Sequence, residues 1–139
     1  MKALSVRTLE YFYIRVEDDP GRAYELLTML ASEEVNLLAF SAVPYGSNRV
    51  ELTIFPDRSD SLLRAAQKFG WTLSGPQHAV LIQGDDQLGA LAAVQKKLID
   101  AGVSIYASSG ITDGEGRFGY VIYFKEGDQI AAEHALAGE

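Results

Sequence analysis

Asp18-Asp19-Pro20-Gly21 and, 68 residues further on, Asp86-Gln87-Leu88-Gly89 decide how this chain is read. Each stretch closes an apolar, β-rich run and opens an amphipathic helical one. Around them Glu10–Trp71 lies over His78–Glu139 without a gap. Leu30 meets Leu98, Val35 meets Val103, Gly46 meets Gly114, Arg49 meets Arg117, Ile54 meets Ile122 and Asp60 meets Asp128. Only 12 of the 62 aligned pairs are identical, so the repeat rests on glycines, acids and apolar positions that keep phase. An internal repeat fixes domain organisation before any other feature does.

Outward from the first turn, Tyr11–Val16 reads as a strand. A helix follows, with an Asp cap, Pro20 at its first position and apolar residues at Ala23, Leu26, Leu27, Leu30 and Ala31. Val35–Val43 and Arg49–Phe55 form a hairpin around Pro44-Tyr45-Gly46-Ser47-Asn48. A second helix is expected to be capped by Asp60, to bury Leu62, Ala66 and Phe69, and to stop at Gly70. Trp71–Ser74 reads as a short strand and Gly75-Pro76 as the linker.

The second copy repeats the order. Strand Ala79–Gln83 leads to a helix with Leu91, Val94, Leu98 and Ile99 inward. Strands Val103–Ile111 and Arg117–Phe124 follow, then a helix over Gln129–Ala137, with Asp128 as its cap. The fold class is therefore α+β: two ferredoxin-like βαββαβ modules in tandem, residues 10–74 and 78–139, each an antiparallel sheet with helices on one face. The second copy ends without its last strand. Carried backwards, the same offset places Ala3–Leu9 over Trp71–Gln77, so Lys2–Leu9 is expected to cross over as the fourth strand of the second module. The alternative is a long first strand.

With 139 residues, 47% of them hydrophobic and 22% charged, the chain has an ordinary globular composition. Modules this small bury little core alone and gain from a neighbour. The net charge of −7 disfavours nucleic acid and anionic membranes, which bind through Lys and Arg. With no cysteine, disulfide and thiol chemistry are excluded. No signal-like or membrane-length apolar run is present, and a cytoplasmic setting is the default expectation.

The strand, the Asp18-Asp19-Pro20-Gly21 turn, the amphipathic helix and Val35-Asn36-Leu37 opening the next strand together resemble an ACT domain. The second copy is similar but altered: Asp86-Gln87-Leu88-Gly89 lacks the proline, and Ala101-Gly102-Val103-Ser104-Ile105 has Ser104 in place of asparagine. The resemblance covers nearly the whole chain. It implies a small tandem-ACT protein that binds an amino acid or similar ligand and regulates a partner enzyme, with no cofactor. From the family's asparagine it also implies that Asn36, and Ser104 after it, contact ligand.

The turn itself argues in the same direction. A helix N-terminus offers unpaired N–H groups and a partial positive charge to a carboxylate. Gly21 and Gly89 let a ligand approach the backbone, and Asp18, Asp19 and Asp86 stand ready for an ammonium group. The other reading of these acids is as helix caps, and the two roles coexist. The site set is thus Asp18, Asp19, Gly21, Asn36, Asp86, Gly89 and Ser104, and the loss of proline and asparagine makes the first copy the expected better site.

Gly116–Tyr123 is close to the aromatic pattern of an RNA-recognition strand, but Ala79–Gln83 offers no partner platform and the charge is wrong. No Ser, His and acid arrangement and no metal-ligand spacing is visible, so no catalytic or metal site is expected. The leading reading is a non-catalytic sensor, as a homodimer, binding an amino acid at a module or subunit interface. The rival is a protein-interaction or dimerisation module with no ligand; RNA binding is the remote alternative.

Overall fold

The computed structural model describes residues 4–125 and 127–137. Lys2 and Ala3, the expected start of the crossing strand, lie outside the described residues. The elements are β1 (Ser5–Glu17), α1 (Arg22–Ser32), β2 (Leu37–Pro44), β3 (Arg49–Pro56), α2 (Ser59–Phe69), β4 (Ser74–Asp85), α3 (Ala90–Asp100), β5 (Ile105–Thr112), β6 (Arg117–Phe124) and α4 (Gln129–Ala137). No helix among them is long and apolar enough to cross a membrane.

The chain divides into two compact units, Glu10–Gln77 and Met1–Leu9 with His78–Glu139. Both are α+β, with strand orders β2-β3-β1-β4 in the first and β1-β4-β6-β5 in the second. The long strands β1 and β4 each serve both units. The N-terminal strand therefore completes the second unit's sheet.

Alternation along the strands builds each core. In the first unit Phe12 lies opposite Ile54 and Ile14 opposite Leu52, all four buried. Leu26 and Leu30 of α1 and Leu62 and Ala65 of α2 close over them. In the second, Val80 faces Ile122 and Ile82 faces Tyr120, beneath Val94, Leu98, Ala132 and Leu136. Leu4 and Val6 pack against this second core, and the Thr8 hydroxyl hydrogen-bonds the Glu133 carboxylate of α4.

The repeat extends to individual hydrogen bonds. The Val35 N–H donates to Leu30 O at 2.9 Å, and Val103 N–H to Leu98 O at 3.0 Å. Tyr45 N–H donates to Arg49 O at 2.8 Å, and Asp113 N–H to Arg117 O at 3.0 Å. Two matched left-handed positions depart in residue type, one being Asn48, φ 58°, against Gly116, φ 95°. The left-handed residue after α1 is Glu34, φ 58°, whereas the residue after α3 is Gly102, φ 74°.

Several expectations are corrected. Gly75-Pro76 is no linker but part of β4. A Cβ on Gly75 would lie 2.9 Å from Tyr11 O, so the missing side chain lets β4 approach β1 there. Trp71 and Leu73 lie before the strand and pack on the core instead. Asp60 does not precede α2. It sits in the first turn, where its nearest partners are Arg58 at 3.4 Å and Arg64 at 3.6 Å, and Arg58 holds its carboxyl below the usual value. The inner stripe of α3 is narrower than the apolar pattern suggests: Val94 and Leu98 are buried while Leu91 and Ile99 are exposed.

Candidate functional site

The candidate residues collect at the strand-to-helix turn of each unit, and both turns are built the same way. Asp18 N–H donates to Asn48 O and Asp86 N–H to Gly116 O, each at 2.8 Å. Arg22 N–H reaches Asp19 O at 3.1 Å and Ala90 N–H reaches Gln87 O at 3.0 Å. Gly21 and Gly89 take φ of 87° and 82°. A side chain at either would be strained by the left-handed backbone alone, because the space around each is empty to 4 Å.

The expected Asp cap, with Pro20 as first helical residue, is corrected. Each helix begins after its glycine, which holds the N-cap position, and no side chain caps α1 or α3. The left-handed glycine makes the turn, so the acids are not needed for it. Asp18, Asp19 and Asp86 are exposed. The N–H groups of the second and third residues of each helix therefore remain for solvent or ligand, at the positive end of the helix dipole.

What stands over the two turns differs. In the first unit Arg22 folds back, with Nη2 3.1 Å from Asp19 Oδ2 and 3.9 Å from Glu17 Oε1, and its Nε is shielded from solvent. The second unit has Ala90 at this position. Its turn opens into a groove of about 720 Å³. Asp86, Gln87, Leu88 and Gly89 form one wall, Ala90, Leu91 and Ala92 of α3 continue it, and Gly110, Ile111, Thr112 and Phe118 close the other side. A Cβ at Gly110 would lie 2.8 Å from Leu91 Cδ1, so this glycine lets the helix side chain lie against β5.

Asp86 and Gly89 are thus brought together with α3. Ser104 is not among the groove walls: its N–H donates to Asp128 Oδ2 at 3.0 Å, which ties the start of β5 to the start of α4. Asp128 does hold the N-cap place of α4, since its carbonyl accepts from Ala132 N–H at 2.9 Å. Asn36 has an exposed side chain, and its carbonyl accepts from Asp57 N–H at 2.8 Å. Arg117 is engaged with Asp85 at 3.1 Å. Asp113 accepts from the N–H groups of Glu115 and Arg117, which hold its carboxyl below the usual value and fix the hairpin turn. Among the described residues no group of three His, Asp or Glu is arranged to hold a metal ion.

Phe118 and Tyr120, central to the aromatic pattern weighed for RNA, are only 5% and 3% exposed and lie in the core beneath the helices. They offer no stacking platform. The groove walls beyond the turn, among them Ala90, Leu91, Gly110 and Ile111, are absent from the sequence-derived site set. The usable signal was the exchange of Arg22 for Ala90 at matched positions.

No family model matches the chain, and no curated protein sequence matches it. Solved structures do. Protein BT0572 from Bacteroides thetaiotaomicron is 21% identical with TM-score 0.82, covering 96% of this chain and 89% of its own. The regulatory subunit of aspartate kinase from Thermus thermophilus, in a ligand-free form, is 17% identical with TM-score 0.69, covering 99% and 96%. Its counterpart from Thermus flavus is 17% identical with TM-score 0.64, again over 99% and 96%. These likenesses define the class of fold, α+β. More particularly, it is a tandem of two ferredoxin-like units, as the repeat implies.

Proposed function

We propose that this chain is a non-catalytic regulatory protein that binds a free amino acid, or a similar small zwitterion, at the β4–α3 turn. The groove of about 720 Å³ carries the reading, because it places the uncapped start of α3 beside Asp86. Leu91 and Ala92 N–H groups suit a carboxylate. Among the described residues the Asp86 carboxylate has no partner, and it suits the ammonium. Gly89 keeps the backbone open between them. The first turn, with Asp18, Asp19, Gly21 and Asn36, is the weaker site in this reading because Arg22 already occupies its acids.

The remaining parts of the reading are a homodimer, a cytoplasmic setting and a regulated enzyme as the partner. The outer strands β2 and β5 are LLAFSAVP and IYASSGIT, with no charged residue in either. Sheet edges are usually guarded by charge, so bare ones favour pairing with another strand. Regulatory subunits of an enzyme share the fold, which supports an enzyme as the readout. Ligand would act by linkage, stabilising the state in which the groove is formed.

The same bare edges, with Tyr106 and Ile111 about three-quarters exposed on β5, favour a second reading: an interaction module that needs no ligand. A thermal-shift screen with the proteinogenic amino acids separates the two. Ligand at about 100 times its dissociation constant adds about 2.7 kcal/mol, a shift of several degrees. The shift is expected to vanish in Asp86→Ala. No shift with any amino acid, together with a concentration-dependent dimer by sedimentation, would leave only the interaction module.

A further inference from the structure

A second, smaller hollow lies beside the groove. It has a volume of about 10 Å³, room for about one water or methyl group. Leu4, Ala93 and Val94 wall it, and Gln87, Ala90 and Phe118 are walls of both hollows. Its surface is apolar. Asp85, at its margin, is engaged by Arg117 at 3.1 Å, and Lys97, whose ammonium is shielded from solvent, also lines it.

Leu4 arrives from the crossing strand and is held in place by an absence. A Cβ on Gly84 would lie 2.9 Å from Leu4 Cδ2 and 3.0 Å from Phe118 Cε1. Gly84 therefore admits both side chains, and together they form one side of the small hollow.

We propose that this hollow is the side-chain pocket of the groove, and that its ligand is an amino acid with a short aliphatic side chain, with Leu4 setting the size limit. The inference rests on the amino-acid reading above. A ligand carboxylate on the start of α3 and an ammonium on Asp86 leave the third substituent to find a wall, and the shared walls at Ala90 and Phe118 lead into the hollow. A polar side chain would lose water there and meet carbon. Each added methylene that finds room raises affinity about fourfold. Past the size of alanine's methyl, Leu4 stands in the way.

The test is calorimetric titration of the full chain with glycine, alanine, valine, leucine, lysine and aspartate. Affinity is expected to rise about fourfold from glycine to alanine, and to fall at valine and leucine. In Leu4→Ala the optimum moves to leucine, and affinity for alanine drops. Leu4→Val, which removes a single methylene, shifts the optimum less in the same direction and serves if the alanine variant does not fold. Tightest binding of lysine or aspartate, or an optimum unmoved in a folded Leu4 variant, overturns the pocket while leaving the amino-acid reading intact. Binding of none of the six, glycine included, overturns both.

Discussion

The two strand-to-helix turns agree closely in backbone and differ in side chains, above all in the one that stands over each. Gly21 and Gly89 match within a few degrees in φ, and the bonds from Asp18 and Asp86, from Arg22 and Ala90, and onto the two glycine carbonyls correspond. Yet Arg22 covers one turn while Ala90 leaves the other open. A repeat thus preserves what holds the chain in shape, main-chain bonds and apolar phase, and lets the side chains over the turn diverge. The altered copy, short of proline and asparagine, is the one with the groove. Departure from the motif here goes with an open turn, not a covered one.

The strongest way to break the comparison is to remove residues 1–9. The first unit takes its outer strand from residues 74–77 of β4, the second from residues 5–9 of β1. Deletion strips Leu4 and Val6 from the second core, a loss of roughly 3–6 kcal/mol. Hydrogen exchange should show α3 and β6 losing protection far more than α1 and β3. Equal protection in both units would refute the dependence.

Next come the exchange variants. Ala90→Arg should fill the second turn and erase the ligand-induced stabilisation, about 2.7 kcal/mol near saturation. Arg22→Ala should open the first turn and raise the calorimetric stoichiometry towards two sites. If Ala90→Arg still binds at full strength, the groove is not the site.

A smaller contrast separates the matched acids. Asp128→Ala removes the carboxylate that accepts from Ser104 N–H and should cost about 1 kcal/mol in denaturant unfolding. Asp60→Ala, whose partners are exposed arginines, should change little. Glu34→Gly should move the other way, stabilising by about 0.5–1 kcal/mol, because it relieves a left-handed side-chain residue and copies Gly102.

The least effect concerns pH. Hydrogen bonds from Thr8 and then Gln129 hold the Glu133 carboxyl below its ordinary 4.5. A lowered pKa stabilises above the ordinary value, and that contribution is lost as pH falls through the folded one. The melting temperature of wild type should therefore fall more steeply on acidification than that of Glu133→Gln. Parallel curves would assign the acid sensitivity to other groups.

Much of the fold was legible because its determinants are local. Period-two alternation in Phe12–Ile14 and Arg117–Phe124, the 68-residue offset and the turn glycines need only neighbouring residues to be read. Crossing of the N-terminal strand was legible from the offset alone. Gly75-Pro76 was misread because a dipeptide that usually breaks structure here sits where a strand approaches another closely. The candidate groove was legible only in part. Asp86 and Gly89 follow from the motif, but the groove depends on what is missing at Ala90 and Gly110, and small residues signal space only once their surroundings are known.

The strand that joins the second unit also sets an order of events in time. Thr8 and Glu133, which it brings together, stand 125 residues apart. At about 5–20 residues per second, synthesis separates them by roughly 6–25 seconds. Throughout that interval the early strand is made and its sheet is not. The second unit, translated after the first, must therefore recover a segment made before either core.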